Sequence, residues 1–140
     1  MIRSLLAAVL MAAMTHAAAA ADIAAQVTAY RRAHGLTAVR MDGALVALAR
    51  QQAAAMAAKE TVSHGAGGDF RLRVAGLHRR LVAENIAAGF LTFPEVLAQW
   101  DASAGHRENL LMVGARRIGV AAVSKPSSPY RRFWAMIISD

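Results

Sequence analysis

The stretch WDASAGHRENLL, Trp100 to Leu111, decides how this chain is read. Trp100 stands near the end of an apolar helix that TFPE, Thr92 to Glu95, opens as a capping box with proline in its first turn. That helix is expected to run through Val96, Leu97 and Trp100 to about Ala102. Ser103 is a candidate cap for a short helix that AGHRENLL begins. A histidine, an arginine, a glutamate and an asparagine fill four consecutive positions, 106 to 109, in a chain built mostly from alanine, leucine and valine. Ser103 and His106 lie three apart and can share a helix face, the spacing of a serine nucleophile with its base, yet no third, orienting acid is marked.

Upstream, LVAENIAAG, Leu81 to Gly89, reads as a short strand. A carboxylate at Glu84 within a half-buried strand costs several kcal/mol unless it is paired or coordinated. It needs a partner, and two readings are open: a metal or histidine cluster, or a salt bridge from Arg71 or Arg73. Before the strand, FRLRVAG, Phe70 to Gly76, predicts one or two helical turns closed by Gly76. TVSHGAGGD, Thr61 to Asp69, is a glycine-marked loop that places His64 just beyond a long helix. Asp69 can reach His64 across that loop, although loop acids are usually solvated. The long helix is expected over Gly43 to Lys59, capped by Asp42, with Leu45, Leu48, Ala49, Gln52 and Met56 on one side. A first helix is expected over Ile23 to His34, with Asp22 as its cap and Gly35 as its stop.

Downstream the period changes. RRIGVAAVS and RRFWAMIIS are apolar runs of strand length separated by KPSSP, which reads as an antiparallel hairpin. Helices must cover so small a sheet. His64, Glu84 and His106 stand out because each sits beside an element boundary in apolar sequence. Two imidazoles and one carboxylate can hold a divalent metal with a position open for water, or act as general acids and bases. His34 and His78 read as ordinary surface or hydrogen-bonded residues.

The chain of 140 residues makes one domain. Its opening, MIRSLLAAVLMAAMTHAAAAADIAA, has one early charge, an uncharged run from Ser4 to Met14 and small residues suited to cleavage. Residues 1–21 are therefore expected to be a signal peptide carrying His16 away, and residues 22–140 the mature domain, secreted or periplasmic, with no transmembrane anchor. No cysteine is present, which excludes disulfides, thiolate catalysis, Cys-type zinc sites and lipoprotein acylation. Sixteen basic and nine acidic residues give +7, and loss of Arg3 leaves +6. That balance attracts anionic envelope surfaces. The paired arginines at 31–32, 71 and 73, 79–80, 116–117 and 131–132 read as solvated faces. They form no aromatic-and-basic stripe of the kind that binds nucleic acid, so no nucleic-acid partner is expected.

Taken together, VSHGAGGDFRLRVAGL, VAENIAAGF, VLAQWDASAGHRENLLMVGARRIGVAAV and YRRFWAMI resemble the CAP superfamily, also called SCP/PR-1-like, in its bacterial secreted form. The most specific pieces are Glu-Asn-Ile-Ala at 84–87 and the W-x-x-S-x-G-H-R-x-N-L-L pattern at 100–111, with Gly119 following in order. The resemblance implies an α+β fold, an α-β-α sandwich with a small, mainly antiparallel sheet between helical layers. It also implies a cleft to which His64, Glu84 and His106 contribute as metal ligands, supported by Ser103, Asn85 and Asp69. Ser103 stands where many eukaryotic members carry a second cleft glutamate, and Ala83 replaces the glycine of the GENIA motif. With one negative ligand instead of two, a Zn²⁺ or other divalent site of modest affinity is expected, and no organic cofactor. The implied function is a secreted binding or interaction module for a lipid or sterol, an envelope component or a protein. The alternatives are a metal-dependent hydrolase of peptides or esters using a zinc-activated water, and a metal-free hydrogen-bonded cluster that ties the loop after Lys59 to the strand.

Overall fold

The computed structural model describes residues 22–140. The expected signal peptide, residues 1–21, lies outside the described residues. In chain order the elements are α1 (22–33), β1 (Arg40–Met41), α2 (Gly43–Lys59), α3 (Phe70–Val74), β2 (Val82–Ala88), α4 (Phe93–Asp101), α5 (Ala104–Leu110), β3 (Arg117–Lys125) and β4 (Arg131–Ser139). The strands form one mixed sheet in the order β1-β3-β4-β2. β4 is antiparallel to both of its neighbours, and β1 pairs parallel with β3.

Alternation along β4 builds both halves of the core, because successive side chains of a strand point to opposite faces. Phe133 and Ala135 pack with Ala49, Ala53 and Met56 of α2. Trp134, Met136 and Ile138 pack with Val27 of α1, Val96 and Trp100 of α4, and Leu110 of α5. β4 is buried from Phe133 to Ser139, as a strand covered on both faces must be. The result is the expected α-β-α sandwich.

α2 begins where expected. Asp42 Oδ1 accepts from the backbone N–H of Ala44 at 3.0 Å and of Leu45 at 3.1 Å. Its small residues let it lie close on the sheet, with the backbone of α2 directly over Gly119 of β3. A Cβ there would fall inside the backbone of Leu45 and Val46. The capping box at Thr92 and Glu95 is also present.

Three readings change. Asp22 is itself helical, and its carboxylate accepts from Gln26 Nε2 at 2.9 Å, so it stands within α1 and does not cap it. The turns after α3 continue past Gly76 as a 3₁₀ segment, Ala75–Leu77, and His78 stops them with a left-handed φ of 52°. The arginine pairs are not uniformly solvated, since Arg31 is fully buried and the Arg73 side chain is 5% exposed. The two-residue strand β1 was not expected.

Candidate functional site

His64 reaches its place because one buried amide holds its loop from both sides. Gln52, fully buried on α2, donates from Nε2 to Ser63 O at 2.7 Å and accepts at Oε1 from the Gly67 N–H at 3.0 Å. Lys59 Nζ adds a bond to Ala66 O at 2.8 Å. A Cβ at position 67 would lie 2.6 Å from Gln52 Oε1, so a side chain there would push the amide out of its bonds to the loop. The loop is irregular in backbone and fixed in position.

Glu84 lies on β2 with its side chain 2% exposed, and two partners answer its charge. His64 Nδ1 stands 2.9 Å from Oε1, and Arg73 Nη2 donates to Oε1 at 3.0 Å and to Oε2 at 2.9 Å. The same Nη2 is 3.2 Å from His64 O, and Arg73 Nε donates to Gly68 O at 3.3 Å. Of the two partners open in the sequence, Arg73 and His64 therefore share the carboxylate. A carboxylate accepting from Nδ1 fixes a proton there, so Nε2 is the ring nitrogen of His64 left to face a ligand. The imidazole itself is 56% exposed.

His106 is set by a second group of bonds, which also close the outer edge of β2. An edge strand presents unpaired backbone groups that must be covered. Trp100 Nε1 donates to Ile86 O at 3.0 Å, and Asn109 Nδ2 donates to Glu84 O at 3.3 Å and to Asn85 Oδ1 at 2.8 Å. Asn85 Nδ2 in turn donates to His106 O at 3.0 Å. The two most specific sequence motifs are thus bonded to each other, and α5 is locked to the strand that carries Glu84.

Between these pieces runs an open groove of about 410 Å³, lined by His64, His106, Gln99, Phe90 and the strand residues Ile86 to Ala88, with Val62 and Ser63 at one side. His106 Nδ1 and Gln99 Oε1 are buried with no hydrogen-bond partner among the described residues. Burial, and then the nearby His64, pulls the His106 pKa below its ordinary value, so the ring is neutral at physiological pH.

The supporting residues separate. Asn85 belongs to the site through His106. Ser103 precedes α5 as its N-cap residue and makes no side-chain cap bond, and no hydrogen bond joins it to His106 among the described residues. Asp69 caps α3 through the Leu72 N–H at 3.1 Å and makes no bond to His64. Gln52 was read only as part of the helix face, and Gln99 and Asn109 were not read as site residues. Asn109 had a signal, its place in the quoted pattern, whereas an amide inside an alanine-rich helix face carries none.

Among the described residues no three His, Asp or Glu side chains form a group that could hold a metal ion. The donor chemistry suits a smaller set. Two imidazoles line one groove, and a carboxylate on the far nitrogen of a ligating histidine is the usual way such a ligand is oriented. Histidines 64 and 106 would hold the ion, water would complete its coordination, and Glu84, neutralised by Arg73, would steady His64. A bound divalent cation there would supply Lewis acidity and attraction for an oxygen-bearing ligand.

No curated protein sequence matches the chain. Solved structures do. An outer surface protein of Borrelia burgdorferi is similar over 83% of this chain and 87% of its own, at 18% identity and a TM-score of 0.71. An extracellular protein containing an SCP domain from Bacillus anthracis is similar over 84% of this chain and 39% of its own, at 24% identity and a TM-score of 0.72. A cysteine-rich secretory protein from Staphylococcus aureus is similar over 86% and 37%, at 17% identity and a TM-score of 0.66. At these identities the likeness is one of fold. In the two longer proteins the matching region is little more than a third of the whole. The model of CAP, the cysteine-rich secretory protein family, matches residues 24–138, nearly all that the structure describes. Though it has no cysteine of its own, the chain belongs to the CAP family.

Proposed function

We propose that this protein is an exported CAP-domain binding module whose groove takes a divalent cation, zinc foremost, on His64 and His106. One observation carries the reading: Glu84 holds Nδ1 of His64, which leaves a free imidazole nitrogen in a groove that His106 also lines. Export is supported by the leader-like opening and by the extracellular and secretory character of two structural neighbours. No helix of the described residues is long and apolar enough to cross a membrane. Affinity should be modest, because neither imidazole brings a negative charge and the Glu84 carboxylate already balances a guanidinium. The ligand that such a cation would help to hold is not selected by the fold, which leaves lipid, sterol, envelope component and protein as candidates.

A hydrolase is the weaker reading on this geometry. Glu84, buried and bonded to two partners, is poorly placed to take a proton from water, which leaves His106 as the base.

The test is a calorimetric zinc titration of chelator-stripped protein beside His64→Ala/His106→Ala. Saturable binding in the parent is expected and none in the variant. At a free zinc concentration one hundred times the Kd, linkage should add about 2.7 kcal/mol to the stability of the parent alone. An unchanged melting temperature at saturating metal would sink the reading and favour the metal-free tie between loop and strand.

A further inference from the structure

A second open groove of about 410 Å³ lies at the β1 edge of the sheet, lined by Ala38, Val39, Arg40, Arg116, Arg117 and Asp140. It shares no lining residue with the histidine groove. Arg40 and Arg117 are register partners across β1 and β3. Like charges placed directly opposite in a sheet destabilise it.

The acids nearby answer only part of that charge. Asp42 Oδ2 takes Arg117 Nη1 at 3.2 Å and has Arg79 Nη2 at 3.8 Å. Asp140 faces Arg80 at 3.7 Å and accepts from the Leu81 N–H at 3.2 Å. Arg116 Nη1 bonds the neutral Thr37 Oγ1. Arg40 has no ion pair among the described residues. Three arginines (40, 116 and 117) thus line the groove beside one aspartate side chain (140), and the aspartates next to them, 42 and 140, are also shared with Arg79 and Arg80. Every cation is an arginine, whose planar fork binds oxyanions through paired N–H groups where lysine offers a point charge. A phosphate group presents acceptor oxygens in several directions, which suits guanidinium groups arriving from β1, from β3 and from the residue before β3. A planar carboxylate suits one.

We propose that this groove binds a phosphate group, carried on a phospholipid headgroup or free in solution. Occupancy offsets the Arg40 and Arg117 repulsion, and the binding does not depend on metal in the other groove. Arg40 and Arg116 are exposed and make few bonds to the fold, so their replacement tests the site without unfolding it.

The experiment titrates metal-free protein with inorganic phosphate at constant ionic strength while following arginine side-chain N–H resonances. Saturable shifts at Arg40, Arg116 and Arg117 are expected, with affinity falling about tenfold or more in Arg40→Gln/Arg116→Gln. Arg50→Gln/Arg71→Gln removes the same charge elsewhere and should leave the shifts in place. A parallel arm sediments the protein with phosphatidylglycerol or phosphatidylcholine vesicles. Capture by phosphatidylglycerol that is lost in Arg40→Gln/Arg116→Gln assigns the headgroup, and phosphate shifts without capture assign the free ion. Absence of saturable response in both arms, or equal response in parent and Arg40→Gln/Arg116→Gln, would overturn the proposal.

Discussion

Gly119→Ala is expected to cost about 3 kcal/mol or more, a large share of the 5–15 kcal/mol that holds an ordinary domain together. Overpacking usually costs about 1–3 kcal/mol because side chains can shift aside. Here the added methyl meets the backbone of Leu45 and Val46 in the first turn of α2, which cannot rotate away. Helix α2 would have to lift from β3, loosening the packing of Ala49, Ala53 and Met56 against the sheet. Gln52 lies on the same helix, so the loop carrying His64 would move with it. Gly43→Ala supplies the contrast. It opens the same helix with nothing within 4 Å of an added Cβ, and it should be neutral or stabilise by up to about 1 kcal/mol. Urea midpoints at constant m-value measure both. Equal midpoints for the two variants would contradict the close approach of α2 to β3.

Arg31→Met is expected to cost about 3–5 kcal/mol. Arg31 is fully buried with no carboxylate partner, and carbonyl oxygens surround it instead. Its Nε donates to Thr37 O at 2.9 Å, its Nη1 to Leu110 O at 2.7 Å and Met112 O at 3.1 Å, and its Nη2 to Ala115 O at 3.4 Å. Leu110 closes α5, where a positive charge also favours the helix dipole. One side chain therefore ties α1 to the end of α5 and to the turn that feeds β3. Methionine fills the volume and leaves those carbonyls without a donor, at about 1–3 kcal/mol for each one that water cannot reach. Arg31→Lys should recover little, since a single ammonium cannot span the fork. Burial, and then Arg116, lowers the Arg31 pKa, a strain the carbonyl cage must offset. A loss under about 1 kcal/mol by denaturant melting would show that the cage contributes little to stability.

Elements with a strong local signal were legible in the sequence. Asp42 followed by alanine-rich helical spacing marked α2, the Thr92 to Glu95 box marked α4, and two apolar runs around KPSSP marked the hairpin. β2 was legible because β-branched and apolar residues flank Glu84. β1 was not, since two residues are too few to show a period, and its pairing comes from the parallel register with β3. Arg31 was misread because its sequence neighbour Arg32 is exposed, and three of its four acceptors are 79 to 84 residues away. At the site, His64, Glu84 and His106 were legible as polar residues at element boundaries. The bonding among them was not. That Arg73, not Arg71, takes Glu84 depends on which face of a five-residue helix turns inward. The edge-closing bonds of Trp100 and Asn109 depend on tertiary contact alone.

The claim at the centre of this account is that two histidines hold the cation while Glu84 stays with Arg73 and steadies His64. Crystals soaked in zinc and measured at the zinc absorption edge test it directly. The account predicts one anomalous peak in the groove, about 2.0–2.1 Å from Nε2 of His64 and from a ring nitrogen of His106, with the Arg73 and Glu84 pair intact. A peak bonded to the Glu84 carboxylate with Arg73 displaced, or no peak beside ordered histidines, would contradict it.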